Sequence, residues 1–212
     1  MLASEDIPEN DPWWFRQPIS GNAVTSELDK PTQRAAFRQI RDSYVNGLTA
    51  QDRSLAFSKI PSPLAKFLAP GKIVAGYVAK GSEVDPAAIL AQAHAMGCDL
   101  ALPHVTSKSA PMRFLRWSPD DDLVPGAFGL LQPAETAPEC KPDIVLVPML
   151  AYDDRLIRLG QGAGHYDRAL SVLDDSIAIG LAWSVQFTSA LASDIWDVPL
   201  DAVLTEKSWI TL

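Results

Sequence analysis

Short apolar segments rich in β-branched residues recur along this chain with helix-forming stretches between them, and this alternation constrains the fold more than any other feature. KIVAGYVA, at 72–79, reads as a buried strand. Asp85 and Pro86 supply an N-cap and a first-turn proline for the helical run PAAILAQAHAM, and DLALPHV follows as the next short strand. A strand, a helix and a strand in succession imply parallel pairing, because parallel neighbours need a long crossover connection. Further strands are expected at MRFLRW, DIVLVPML, SIAIGLAW and DAVLTE, so the class is α/β. The proline-bearing GAFGLLQPAETAPECKP is read as a long connection before DIVLVPML.

Upstream, TQRAAFRQIRDSYVNGL begins at Thr32 and places Ala36, Ile40 and Tyr44 at helical spacing, with Arg34, Arg38 and Arg41 on the opposite face and Gly47 as the stop. A second helix is expected over TAQDRSLAFSKI. There Thr49 and Asp52 have the spacing of a capping box, and Leu55, Phe57 and Ile60 are the apolar side chains. PSPLAKFLAP ends it. Residues 1–31 lack periodicity and are expected to form an irregular arm, leaving 32–212 as a single α/β domain. The aromatic cluster Trp13, Trp14, Phe15 either docks onto the body or meets another chain.

With 212 residues, about half of them apolar, the chain can bury a core of its own. Its formal charge of −8 argues against the basic footprint of a nucleic-acid or anionic-membrane binder, while leaving room for a local basic pocket that takes a small anion. Cys98 and Cys140 have no cysteine or histidine at ligand spacing, so neither a zinc site nor a disulfide is signalled. No basic start followed by an apolar stretch, and no run of transmembrane length, is present, and the expected location is the cytoplasm. His94, His104 and His165 share no metal spacing, and no nucleophile-and-base arrangement stands out.

The run RLGQGAGHYDRAL, Arg158 to Leu170, sets three glycines at every second position. It is not a dinucleotide fingerprint, since about ten residues separate it from the preceding strand, and no Gly-Lys-Ser/Thr triplet makes it a Walker loop. Two readings remain. Either the backbone N–H groups converge on an anion, helped by Arg158 and the start of a helix HYDRALSVL, or the glycines merely make a tight connection.

The flanking residues extend the pattern. Arg158, Leu159, Gly160, Gly162, Gly164, Tyr166 and Asp167, behind an apolar strand and a short turn, closely resemble the signature of the 5-formyltetrahydrofolate cyclo-ligase family, R-L-G-x-G-x-G-x-Y-D. Arg34-x-x-Phe37-Arg38 ahead of Leu48-Thr49, the turn GSEVDP, and the block Asp197 to Glu206 are similar to further segments of that family. The resemblance runs from about residue 32 to the C-terminus. Departures are Arg34 where the family usually has lysine, Phe37 for leucine, Leu156 where a turn glycine is common, and His165 where an aromatic residue is usual.

The resemblance implies a layered, mostly parallel sheet flanked by helices, similar to the ribose-phosphate isomerase and CoA-transferase group. It also implies an enzyme that uses ATP and Mg²⁺ to convert 5-formyltetrahydrofolate into 5,10-methenyltetrahydrofolate, by phosphorylating the formyl oxygen before N10 attacks. Carried over by position, Arg34, Arg38 and the run Arg158, Leu159, Gly160, Gln161, Gly162, Ala163, Gly164, His165, Tyr166 would contact the nucleotide. Arg38, Val78, Glu83, Trp117 and Tyr166 would contact the reduced folate, with Glu83 accepting from pterin N–H donors. Trp117 reads equally as a stacking platform or a core tryptophan. Asp167 and Asp197 would bind Mg²⁺, which takes a few protein oxygens and completes its shell with phosphate and water. No side chain is assigned as acid, base or nucleophile, and nothing indicates an oligomeric state. Competing readings are a non-catalytic folate- or nucleotide-binding relative, motivated by Arg34, and an ATP-dependent ligase for another substrate on the same scaffold.

Overall fold

A computed structural model describes residues 28–212; most of the expected arm, with Trp13, Trp14 and Phe15, lies outside the described residues. In chain order the helices are α1 (Lys30–Gly47), α2 (Ala50–Leu55), α3 (Ser62–Ala65), α4 (Ala87–Ala95) and α5 (His165–Leu170). The strands are β1 (Ile73–Ala75), β2 (Asp99–His104), β3 (Arg113–Trp117), β4 (Val124–Pro125), β5 (Leu131–Gln132), β6 (Glu139–Cys140), β7 (Ile144–Pro148), β8 (Ala151–Tyr152), β9 (Arg158–Leu159), β10 (Ile177–Leu181), β11 (Ala202–Leu204) and β12 (Trp209–Ile210). One eight-stranded sheet has the order β12-β11-β10-β7-β1-β2-β3-β6, and the pairs β4-β5 and β8-β9 stand apart from it.

The five central strands, β11 to β2, are parallel, while β12, β3 and β6 pair antiparallel at the edges. MRFLRW is thus a strand, as expected, but an antiparallel one. Only residues 105–112 join β2 to β3, too few for a crossover helix, so the chain turns back on itself. Period-two alternation feeds both faces: Val74, Leu100, Ile144, Leu146 and Ile179 enter one apolar cluster, and Ala75, Ala101, Val145, Val147 and Ala178 the other. Val45, Phe57, Leu64, Ile89 and Leu90 cover the first face from the side of α1 to α4, and Ala169 and Leu170 of α5 reach the second. This is the layered, mostly parallel sheet flanked by helices.

Four local expectations change. The first strand stops at Ala75 rather than Ala79. Gly76 makes the last rung, its N–H donating to Ala101 O at 3.0 Å, and it lies so close to Leu90 that a Cβ there would come within 2.5 Å of a leucine methyl. Tyr77 and Val78 then leave the sheet, and the Tyr77 hydroxyl closes the loop by donating to Val84 O. In α1 the buried stripe is Gln33, Phe37, Arg41 and Val45, not Ala36, Ile40 and Tyr44, which are half-buried. Arg41 is the reason: its Nε donates to Ser82 Oγ at 2.9 Å and its Nη1 to Met149 O at 3.3 Å, so a charged residue sits where periodicity places an apolar one. The expected long connection after β3 carries the β4-β5 ribbon and the edge strand β6. Finally α2 and α5 are short. α2 keeps its cap, with Asp52 N donating to Thr49 Oγ1, but leaves Leu55 exposed, and α5 ends at Leu170 rather than Leu173. Among the described residues, no helix is long and apolar enough to cross a membrane.

Candidate functional site

The chain leaves β1 for β2 on one side and later fills β7 on the other, so the strand order reverses between β1 and β7. Open parallel sheets bind ligands at such a reversal, beyond the carboxyl ends of the strands. A cleft of about 1310 Å³ lies there, lined by the loop after β1, the ends of β2 and β7, the start of α1, the glycine loop and residues 194–199. Eight lysines and arginines line it against five carboxylates, the reverse of the balance over the whole molecule.

The glycine loop is reached through the β8-β9 ribbon. Asp153, wholly buried, holds the ribbon's turn by accepting from the N–H groups of Arg155, Ile157 and Leu191 and from the Arg155 guanidinium. Leu156 completes the turn at φ +56°, the left-handed geometry that glycine would take without strain. Arg158 leaves β9 with its guanidinium almost fully buried, donating from Nη1 to Val198 O at 2.6 Å and from Nη2 to Asp167 Oδ1 at 2.5 Å. Burial lowers the Arg158 pKa, and the charges of Asp167 and Asp197 oppose that shift; Val198 N, next to Asp197 in the chain, donates to Asp167 Oδ1 at 3.4 Å.

Gly162, at φ +103°, gives the loop its shape, and the Arg34 guanidinium lies only 3.2 Å from where a Cβ on that residue would be. Arg34 Nε also donates to Gly160 O at 3.0 Å. Arg38, one turn along α1, donates to Gln161 Oε1 at 2.8 Å, and Gln161 Nε2 donates to Glu83 Oε1 at 3.2 Å. Glu83 also accepts from Lys80 N and lies 3.9 Å from Arg41 Nη1. A chain of contacts thus joins α1, the glycine loop and the loop after β1. Asp197 sits across from these, its Oδ2 accepting from Lys30 Nζ at 2.6 Å and from Asp194 N at 2.7 Å.

His165 and Tyr166 open α5 directly behind the glycine loop. The Tyr166 hydroxyl and His165 Nε2 are buried and meet no hydrogen-bond partner among the described residues. Burial pushes the Tyr166 phenol well above its ordinary pKa, with Glu83 adding to the shift and Arg158 opposing it, so the hydroxyl stays protonated. Burial, and then Arg168, lower the His165 pKa.

The structure therefore brings Arg34, Arg38, Val78, Glu83, the run Arg158 to Asp167, and Asp197 to one cleft. Leu159, although in that run, turns its side chain into a small core with Phe37, Leu150 and Leu191. Trp117 is not brought there: it packs against the core, its Nε1 donates to Asp121 O, and it lines a separate hollow with His94 and Arg116. Lys30, Arg41, Lys80, Lys108, Arg168 and Asp194 line the cleft without having been singled out as site residues. Arg41 alone carried a signal, since it follows Arg34 and Arg38 at helical spacing. Lys30, Lys80, Lys108 and Asp194 lie on loops or at a helix start, where spacing carries no information about convergence, and Arg168 lies in the last turn of the short α5. Among the described residues no three His, Cys, Asp or Glu side chains cluster as a metal site.

Comparison with known proteins points the same way. The model of a family described as the 5-formyltetrahydrofolate cyclo-ligase family matches residues 27–206. A 5-formyltetrahydrofolate cyclo-ligase of Haemophilus influenzae is 36% identical over 43% of this chain and 52% of its own length, so this match spans about half of that relative. One from Escherichia coli K12 is 30% identical over 64% of this chain and 79% of its own. The solved structure of Aquifex aeolicus 5,10-methenyltetrahydrofolate synthetase superposes with a TM-score of 0.67 at 28% identity, covering 87% of this chain and 93% of that one.

Proposed function

This chain belongs to the 5-formyltetrahydrofolate cyclo-ligase family, a family of enzymes, and from that premise we propose that it converts 5-formyltetrahydrofolate into 5,10-methenyltetrahydrofolate at the expense of ATP, with Mg²⁺. The observation that carries the proposal is the size and lining of the cleft. About 1310 Å³ exceeds the roughly 300–1,000 Å³ of a site for one small molecule, and its lining holds both cationic and apolar side chains. Arg34, Arg158 and the glycine loop would suit a triphosphate; Val78, Met112, Phe128 and Tyr166 would suit a flat reduced folate.

The reaction needs the formyl oxygen to leave, which it does poorly as it stands and well as phosphate. In the proposed course the γ-phosphoryl group passes to that oxygen, N10 attacks the formyl carbon and loses its proton, and the C–O electron pair departs with phosphate, leaving ADP and the methenyl product. Catalysis of such a transfer is mostly positioning and charge neutralisation. Arg158 and Arg34 would neutralise phosphate oxygens while Arg38, through Gln161, keeps Glu83 turned to the folate. Glu83 would accept from the pterin N–H groups, and the protonated Tyr166 hydroxyl would donate to the folate. The donor set also fits Mg²⁺: the hydrogen bonds of Asp167 and Asp197 engage one oxygen of each, leaving a second oxygen apiece, and phosphate and water would complete the shell. Bound there, the cation would draw charge from the transferring phosphoryl group.

The test is to mix the chain with ATP, Mg²⁺ and 5-formyltetrahydrofolate and follow the near-ultraviolet absorbance of the methenyl product. Absorbance should rise only when all three are present. Folded protein that binds folate calorimetrically without forming product would instead mark a non-catalytic binder.

A further inference from the structure

We propose that Arg168 is a positioning residue that fixes His165 in its Nε2–H tautomer, so that the imidazole donates a hydrogen bond to a carbonyl or carboxylate oxygen of the bound folate. The inference rests on the folate reading above. Its first part follows from the donor inventory. The Arg168 guanidinium makes three contacts: Nη1 donates to Ala163 O at 2.9 Å, Nη2 donates to Lys108 O at 3.1 Å, and Nη2 lies 3.1 Å from His165 Nδ1. A guanidinium has N–H groups and no acceptor, so Nδ1 must be the acceptor of this last contact. A neutral imidazole whose Nδ1 accepts carries its proton on Nε2.

That Nε2–H is buried and meets no partner among the described residues, as is true of the neighbouring Tyr166 hydroxyl. A buried donor left unpaired has lost its hydration without recompense, so an oxygen delivered to it is bound more tightly. The surroundings say which ligand delivers it. The His165 ring lies 6.1 Å from that of Phe128, tilted by 53°, and next to Tyr166 in the chain, the two aromatic side chains given above to the folate. Phe128 itself is half exposed and sits at φ +62°, a conformation a phenylalanine adopts only at a cost. A phenylalanine at 165 would keep the ring contact but could not donate.

With only three histidines in the chain, ¹⁵N chemical shifts and long-range N–H couplings identify each tautomer directly. His165 should show a protonated Nε2 and an unprotonated Nδ1, and Arg168→Met should convert it to a mixture of tautomers. Calorimetric titration with 5-formyltetrahydrofolate should find His165→Phe weaker by about tenfold and Arg168→Met weaker by several-fold. The double variant should be no weaker than His165→Phe alone. A protonated Nδ1 in the parent chain overturns the proposal, as does unaltered folate affinity in His165→Phe. Additive losses in the double variant would show Arg168 acting only as a brace for the loop, and would overturn it too. If the parent chain binds no folate, the functional reading fails while the tautomer remains readable on its own.

Discussion

Leu156 shows how a single residue can carry two opposed terms. Its backbone is left-handed, at φ +56°, yet its side chain is 1% exposed within the apolar cluster that also holds Tyr152 and Ala169. Leu156→Ala should lose about 2–5 kcal/mol of burial and keep the backbone strain, whereas Leu156→Gly loses the buried Cβ as well but recovers the roughly 1–2 kcal/mol of strain, which outweighs that one carbon. Glycine should therefore be the more stable of the two by about 1 kcal/mol in urea unfolding, inverting the usual order; an alanine variant at least as stable would contradict the assigned turn. Asp167 is a second test. Asp167→Asn should reduce turnover by at least about 100-fold through loss of a carboxylate near the transferring charge. It should also lower stability by about 2 kcal/mol, since the buried Arg158 guanidinium loses its ionic partner. An Asn variant with full activity would remove Asp167 from the site. At this scale the glycines and Tyr166-Asp167 were legible in the sequence because their spacing is local. Arg41 was placed on the face opposite the apolar one, and its burial was not legible because the groups that satisfy it, Ser82 and Met149, are 41 and 108 positions away.

Among the elements, the pairing of β1 with β7 depends on Asp143, just ahead of β7. Its Oδ2 accepts from Ile73 N at 2.8 Å, its Oδ1 from Lys72 Nζ at 2.6 Å, its own N–H donates to Ile73 O, and its carbonyl takes the Ile177 N–H of β10. Burial acts to raise the Asp143 pKa, but the Ile73 N–H and the Lys72 ammonium outweigh it and hold the carboxyl below its ordinary 3.8. A depressed carboxylate contributes stability above its unfolded value and loses it as pH falls through the folded one. Asp143→Asn should thus cost about 1 kcal/mol at neutral pH, and the deficit should shrink on acidification below pH 3.8. A deficit independent of pH would show that the charge plays no part. The central strands and α4 were legible from alternation and caps. The antiparallel edges were not, because alternation is alike in both orientations and only the length of the connection decides. The face of α1 was misjudged for a related reason: hydrophobic spacing cannot register Gln33 and Arg41 as buried.

For the whole molecule, a cationic cleft in a chain of net charge −8 concentrates anions at one place and repels them elsewhere. Raising ionic strength from about 0.05 to 0.5 M should therefore raise the KM for ATP several-fold with little change in kcat, since screening weakens attraction over about a Debye length. An unchanged KM would mean that only the short-range contacts of Arg34 and Arg158 matter. The convergence of Asp197, Glu83 and the glycine loop was not legible from spacing; similarity to a family suggested it, and the reversal of strand order between β1 and β7 explains it. Trp117 lines a separate hollow because the antiparallel turn-back of β3 carries it away from that reversal. The central claim is that ATP phosphorylates the formyl oxygen so that it can leave. The most direct measurement uses 5-formyltetrahydrofolate labelled with ¹⁸O in the formyl group and follows the label during turnover. The account expects one labelled oxygen in the released inorganic phosphate for each methenyl product formed; label released as water, or product formed without ATP, would contradict it.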